Sequence, residues 1–330
     1  SAAVTGSLQS HLPAVLQGML DPRDASVRHA ALALVGSLLS NGLAHPAKII
    51  PKVLALEVDT EVGGTAEAAK GELRTQYDRH KQMLGNSSIL LEGAMEAATL
   101  DAAIQANAEK GKDEAEAAAA VGLPSAAAAV GSDLNNGANG LGTRASFAYQ
   151  LQGNNKKARR QFLTSLLGML APERFDDLPL DQWEGELRTC QWMCESLGEM
   201  PYEKADDVLL VVHHANRVLS IHAESQVAEA RKLLSDDGEE EKSPNDLEAA
   251  AACIDDEAAT AALQLACHKG ALIGLTLCLK QHLKKTYGLS DVRCQTFDPN
   301  IKIGVIEQPI SKLPGAAKID TSGMWAVQAA

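Results

Sequence analysis

The chain has 330 residues, enough to bury a sizeable core; 54 are alanine and only 3% are aromatic. A composition rich in Ala and Leu but poor in aromatics points away from sandwiches and barrels, whose strands favour aromatic and β-branched residues. A net charge of −13 taken alone argues against a nucleic-acid binder, but it is uneven: residues 231–260 hold ten acids against three bases, whereas 144–170 hold five bases and no acid.

In chain order, residues 8–42 read as a helical hairpin. Leu12, Val15, Leu16, Met19 and Leu20 recur at helical spacing until Asp21-Pro22 breaks the chain. Asp24 or Ser26 can cap a second helix, with Val27, Ala30, Ala31, Leu34, Val35 and Leu38 as its apolar positions, and Asn41-Gly42 ends it. A second hairpin follows. Its first helix starts near Pro46 and carries Ile49, Ile50, Val53, Leu54 and Leu56; Asp59 marks the turn, and Ala68, Ala69, Leu73 and Tyr77 lie on the second helix. The turn aspartates Asp24 and Asp59 are 35 positions apart, or 38 if Asp21 is the equivalent, a helix–turn–helix period that marks an α-solenoid.

The stretch 12–42, with its Asp-Pro turn, the Val27-Arg28 pair and the small Ala30-Ala31 pair, resembles a HEAT repeat, although the turn between Asp21 and Arg28 is a residue longer than usual. The resemblance implies that Arg28, Asp21 and Asp24 stack the repeats. In the second hairpin Thr65 or Ala66 falls where the arginine would be, a weaker match.

The predicted organisation places HEAT repeats over 1–100 and an Ala/Gly-rich flexible insert over 101–143. Helical hairpins occupy 144–234, broken at Gly153-Asn154-Asn155, with Phe162, Leu163, Leu166, Leu167 and Leu170 on one face. An acidic disordered linker covers 235–258. One long helix, apolar almost all round in its middle and therefore buried between neighbours, covers 259–290, and an extended tail fills 291–330. The fold class is all-α.

Two basic clusters could meet phosphates: Lys156, Lys157, Arg159 and Arg160, with Arg159 nearer the apolar edge, and Lys280, Lys284 and Lys285 at the end of the long helix. The first also reads as a solvated helix face, the second as cations favouring a helix C-terminus. Six cysteines occur without a CxxC pair, so reduced thiols are expected. Cys190 and Cys194, with His213, His214 and His222, have spacing that could ligate zinc. Trp192, Met193 and Leu197 make their surroundings a core pattern instead, so no metal and no cofactor are expected. No dinucleotide, P-loop or nucleophile-elbow signature is present, and no enzyme is expected. The chain starts without Met inside a helical pattern and contains no apolar run near a membrane span, so a fragment of a longer, membrane-free protein is expected.

Four blocks, in order, resemble the C-terminal part of the Nipped-B, or sister chromatid cohesion protein, family. They are VRHAALALVGSLLSNGLAHPAKIIPKVLAL from Val27, LQGNNKKARRQFLTSLLGML from Leu151, MPYEKADDVLLVVHHANRVLSI from Met200, and LKQHLKKTYGLSD from Leu279. The resemblance implies a hook-shaped HEAT-repeat α-solenoid that binds double-stranded DNA and chromatin in the nucleus. It implies contact with the SMC and kleisin subunits of cohesin, promotion of cohesin loading, and stimulation of the cohesin ATPase. It further implies a TPR-type loader partner bound through an N-terminal region absent from this sequence. The other reading is a generic HEAT scaffold of the transport-receptor or phosphatase-scaffold type.

Overall fold

The computed structural model describes residues 2–59, 64–120, 146–235, 257–299 and 308–321. Among them the architecture is all-α, with one isolated antiparallel bridge, Lys204 to Pro309, outside the helices. The chain divides into two compact units, residues 1–166 with 199–201, and residues 167–198 with 202–330. Most of the acidic linker, the Gly-rich part of the insert and residues 300–307 and 322–330 of the tail lie outside the described residues.

The first unit opens with two consecutive helical hairpins. Helix α1 (Ala2–Gly18) packs on α2 (Ala25–Ser40), and the Asp21-Pro22 break between them falls where the sequence places it. Asp24 caps α2, its Oδ1 accepting from the Ser26 amide at 2.7 Å. Gly42, at φ 66°, ends it in the left-handed conformation that glycine adopts without a Cβ clash. The buried face differs from the expected one. It is Arg28, Leu32, Val35, Leu38 and Leu39, whereas Val27 and Leu34 are exposed, because the buried guanidinium of Arg28 sets the inward direction of the helix.

The second hairpin pairs α3 (Ile50–Ala55), flanked by 3-10 turns Pro46–Lys48 and Leu56–Val58, with α4 (Thr65–Arg79). His45 starts it: its Nδ1 accepts from the Ala47 amide at 3.2 Å. Helix α3 is covered on its other side by α5 (Ser87–Ala120). The insert expected from 101 therefore needs correction. The Ala-rich stretch continues α5 to Ala120, as Ala's high helix propensity favours, and 121–143 lies outside the described residues. Two short helices close the unit, α6 (Ser146–Leu151) and α7 (Lys156–Leu167), with Phe162, Leu163 and Leu166 fully buried.

Helix α5 approaches α3 closely at Gly93. A Cβ there would lie 3.1 Å from Leu54 Cδ1 and 3.2 Å from the Pro51 carbonyl oxygen. Gly71 on α4 faces open space. Ala is the better helix former by about 1 kcal/mol at either site, but overpacking costs about 1–3 kcal/mol. Gly71→Ala is thus expected to raise the urea midpoint and Gly93→Val to lower it; a Gly93→Val variant as stable as the parent would show that the contact yields freely.

The second unit is built on α8 (Trp183–Glu199), α9 (Ala205–Ser235) and α10 (Glu257–Tyr287), followed by the short α11 (Asp291–Thr296). Helices α9 and α10 run antiparallel: Gln226 Nε2 donates to the Ala266 carbonyl at 3.3 Å, while Arg217 lies level with Lys280. The expectation that α10 is enclosed all round in its middle does not hold. Leu272, Leu275, Thr276 and Leu279 are buried, but Leu277 is 44% exposed, so this chain covers one face of the helix. The tail also begins as a helix, α11, capped by Ser290, whose Oγ accepts from the Arg293 amide. Among the described residues of the tail, 308–321 is non-helical, with a turn at Pro314-Gly315. It is strapped down by Ala205 N to Gln308 O, Ile310 N to Glu203 O and Leu313 N to Thr286 O, each 2.8–2.9 Å.

Candidate functional site

Burial and polarity coincide first at Arg28. Its side chain is fully buried; Nε and Nη2 donate to the two carboxylate oxygens of Asp59 at 2.8 and 3.0 Å, and Nη1 donates to the Asp21 carbonyl at 2.7 Å. One arginine thus ties its own hairpin's turn to the turn of the next hairpin by a fork that matches a carboxylate. The acceptor differs from the expected pair. The Asp21 carboxylate is occupied by the Arg23 amide and that of Asp24 by Ser26, so both act locally and Asp59 takes the stacking role. Thr65, where the second hairpin's arginine would stand, is buried without a guanidinium to pass the ladder onward.

The first basic cluster begins α7. Lys157 is exposed, and Lys156 and Arg160 are half-buried. Arg159 is only 3% exposed and its Nη1 donates to the Gly153 carbonyl at 2.8 Å, so it ties α7 to the Gly153 turn and has no exposed face for a ligand. Gln161 Nε2 donates to the Gly85 carbonyl at 3.0 Å, which sets the middle of α7 against the turn that follows α4. Arg79, His80 and Lys81 are exposed where the chain enters that turn. Sequence spacing does not relate the turn at 83–85 to α7, because about 75 residues intervene; the Gln161–Gly85 hydrogen bond does.

The second basic cluster is divided by its own neighbours. Lys284 forms an ion pair with Asp291 across the α10–α11 turn, which lowers the Asp291 carboxyl pKa and raises that of the Lys284 ammonium. Lys285 is exposed, and Lys280 lies half-buried beside His213, Asn216 and Arg217 of α9.

The cysteines and histidines do not converge. Cys190 and Cys194 are buried in the second unit; burial pushes the Cys190 thiol up to about 12 and the Cys194 thiol well above its ordinary value, and Cys190 Sγ donates to the Met169 carbonyl. Such thiols are packing groups rather than nucleophiles or ready ligands. His213 stacks edge-on against Phe297, burial and then the charge of Arg217 lower the pKa of His214, and His222 Nε2 lies 3.1 Å from Glu173. Among the described residues no three metal-ligating side chains come together.

Glu57 was not singled out by its sequence, where it ends an apolar run. It is fully buried, its Oε2 accepting from the Phe147 amide at 3.3 Å at the start of α6. Desolvation dominates over that bond and the charge of Lys70, and pushes its carboxyl up to about 8.

The profile of the Nipped-B family, described as "Sister chromatid cohesion C-terminus", matches residues 4–218. The Nipped-B-like proteins of Mus musculus and Homo sapiens are each 23% identical over 344 aligned positions, covering 93% of this chain. Nipped-B-like protein A of Danio rerio is 24% identical over 216 positions, 65% of the chain. The chain spans only 11% of the length of the mouse and human relatives and 8% of the zebrafish one.

Proposed function

The chain belongs to the Nipped-B sister chromatid cohesion family, and from that premise we propose that it is a non-catalytic binding segment of a cohesin loader. In this reading it acts in the nucleus, where it holds duplex DNA and a surface of cohesin's SMC and kleisin subunits together. The clamped arrangement favours loading and ATP hydrolysis by cohesin, and a TPR-type partner binds a part of the protein outside this sequence.

What supports the DNA contact is the cluster around the start of α7. Lys157 is exposed on the first turn of α7, and Arg79 and Lys81 are exposed ahead of the turn that Gln161 of the same helix bonds, in a chain whose overall charge is −13. An exposed lysine that meets a phosphate releases a counterion, so each contact adds about one unit to the slope of log affinity against log salt. Binding of a 30-base-pair duplex over a salt series tests this. Charge reversal at Lys157 and Lys81 together is expected to lower the slope by about two units and to weaken binding equally for unrelated sequences. An unchanged slope would remove α7 from the DNA contact.

A further inference from the structure

A groove of about 730 Å³ opens between α9, α10 and α11. Its walls present His213, Asn216, Arg217 and Ser220 from α9, Lys280 from α10 and Gln295 from α11. The four α9 residues are spaced i, i+3, i+4 and i+7, which places them on one helix face. Leu219 and the buried Cys294 complete the lining, and no carboxylate lines it. The nearby acid, Asp291, is engaged by Lys284. Arg293 of α11 donates to Gln308 instead of entering the groove's chemistry. Neither Arg217 nor Lys280 makes a hydrogen bond or ion pair with a described residue, and His213 meets Phe297 through its ring. Two cations, two amides and a hydroxyl thus face one concavity with no acid to answer them.

From this we infer that the groove binds a phosphomonoester, carried on a phosphorylated serine or threonine of a partner protein. A phosphomonoester brings nearly two negative charges and three acceptor oxygens to one point, which the converging donors match. The guanidinium can engage two oxygens at once while the ammonium acts as a point charge. The volume suits a side chain or small ligand, and two cations in one concavity match a single dianion, whereas a duplex presents a row of singly charged phosphodiesters. Lys280, which sequence grouping placed with Lys284 and Lys285, therefore turns to a different ligand from the α7 cluster.

Calorimetric titration of the 330-residue chain with N-acetyl-phosphoserine-N-methylamide tests the assignment, with inorganic phosphate, the unphosphorylated serine compound and a 30-base-pair duplex as further arms. Saturable binding is expected for the phosphoserine compound, tighter than for inorganic phosphate and absent without the phosphate. The Arg217→Ala/Lys280→Ala variant, altered only at partly exposed positions, is expected to bind at least tenfold more weakly while keeping the parental helix content. Lys157→Ala is expected to bind as the parent does and Lys285→Ala to lose less than threefold. Binding unaffected by the double substitution, or no saturable binding, would overturn the site. Inorganic phosphate binding as tightly as phosphoserine would overturn a side-chain origin. Displacement of phosphoserine by the duplex, lost in the double variant, would give the groove to DNA instead.

Discussion

Replacing Arg28 with methionine is expected to destabilise the first unit by about 3–5 kcal/mol, because it leaves the carboxylate of Asp59 buried without its partner. Both side chains are fully inaccessible, so neither water nor salt can take over the lost contact. The decisive comparison is the double variant Arg28→Met/Asp59→Leu. It removes both charges at similar volume, and buried ion pairs replaced by apolar residues are often neutral or better, so it is expected to recover most of the loss. Asp24→Ala removes only the α2 cap and is expected to cost about 1 kcal/mol. Urea unfolding followed by circular dichroism gives the totals, and hydrogen exchange localises the loss to amides of α2–α4. If Arg28→Met cost no more than Asp24→Ala, the ladder would be a by-product of packing.

The same residue shows how much the sequence reveals. The hairpins are legible because apolar residues recur at helical spacing and Asp21-Pro22 and Asn41-Gly42 mark the breaks. That Arg28 belongs to a stacking ladder follows from the HEAT resemblance. Its acceptor does not, because three aspartates are chemically equivalent until the turns fix which two are used by neighbouring amides. Val27 and Leu34 were misassigned to the buried face for a related reason. A buried charged residue lies at the centre of that face, and a reading that tracks only apolar residues rotates the helix away from it.

The candidate sites divide along the same line. Lys157 is exposed, as its helical spacing suggests, and the inward position of Arg159 agrees with its place near the apolar edge. The contribution of Arg217 depends on its meeting Lys280 and Gln295 from segments far apart in sequence, which periodicity does not encode. Two length estimates failed through local propensity. Alanine lets α5 run past the point where low complexity suggested a break, and Ser290 caps a helix in a stretch read as extended.

Glu57 gives the second large expected effect, and its sign is set by the direction of its pKa shift. The folded carboxyl titrates near 8 against an ordinary 4.5, so between those values the folded state holds a proton that the unfolded chain has released. The contribution of this group is therefore fully present below about pH 4.5, falls by roughly 1 kcal/mol per pH unit as pH rises, and is exhausted above about pH 8. Glu57→Gln keeps the side chain's size and its ability to accept from the Phe147 amide, but it has no proton to lose. The variant is expected to match the parent in urea melts below about pH 4.5, to exceed it increasingly between about pH 4.5 and 8 and to hold a constant lead above that, so the difference between the two curves isolates this carboxyl from every other titrating group. The effect is expected in the amides of α6, since Glu57 accepts at its first turn across 90 residues of sequence. Parallel pH profiles for parent and variant would show that the carboxyl reaches water in solution. A widening gap would mean that the junction between the second hairpin and α6 is held by a neutral acid that becomes a liability once ionised.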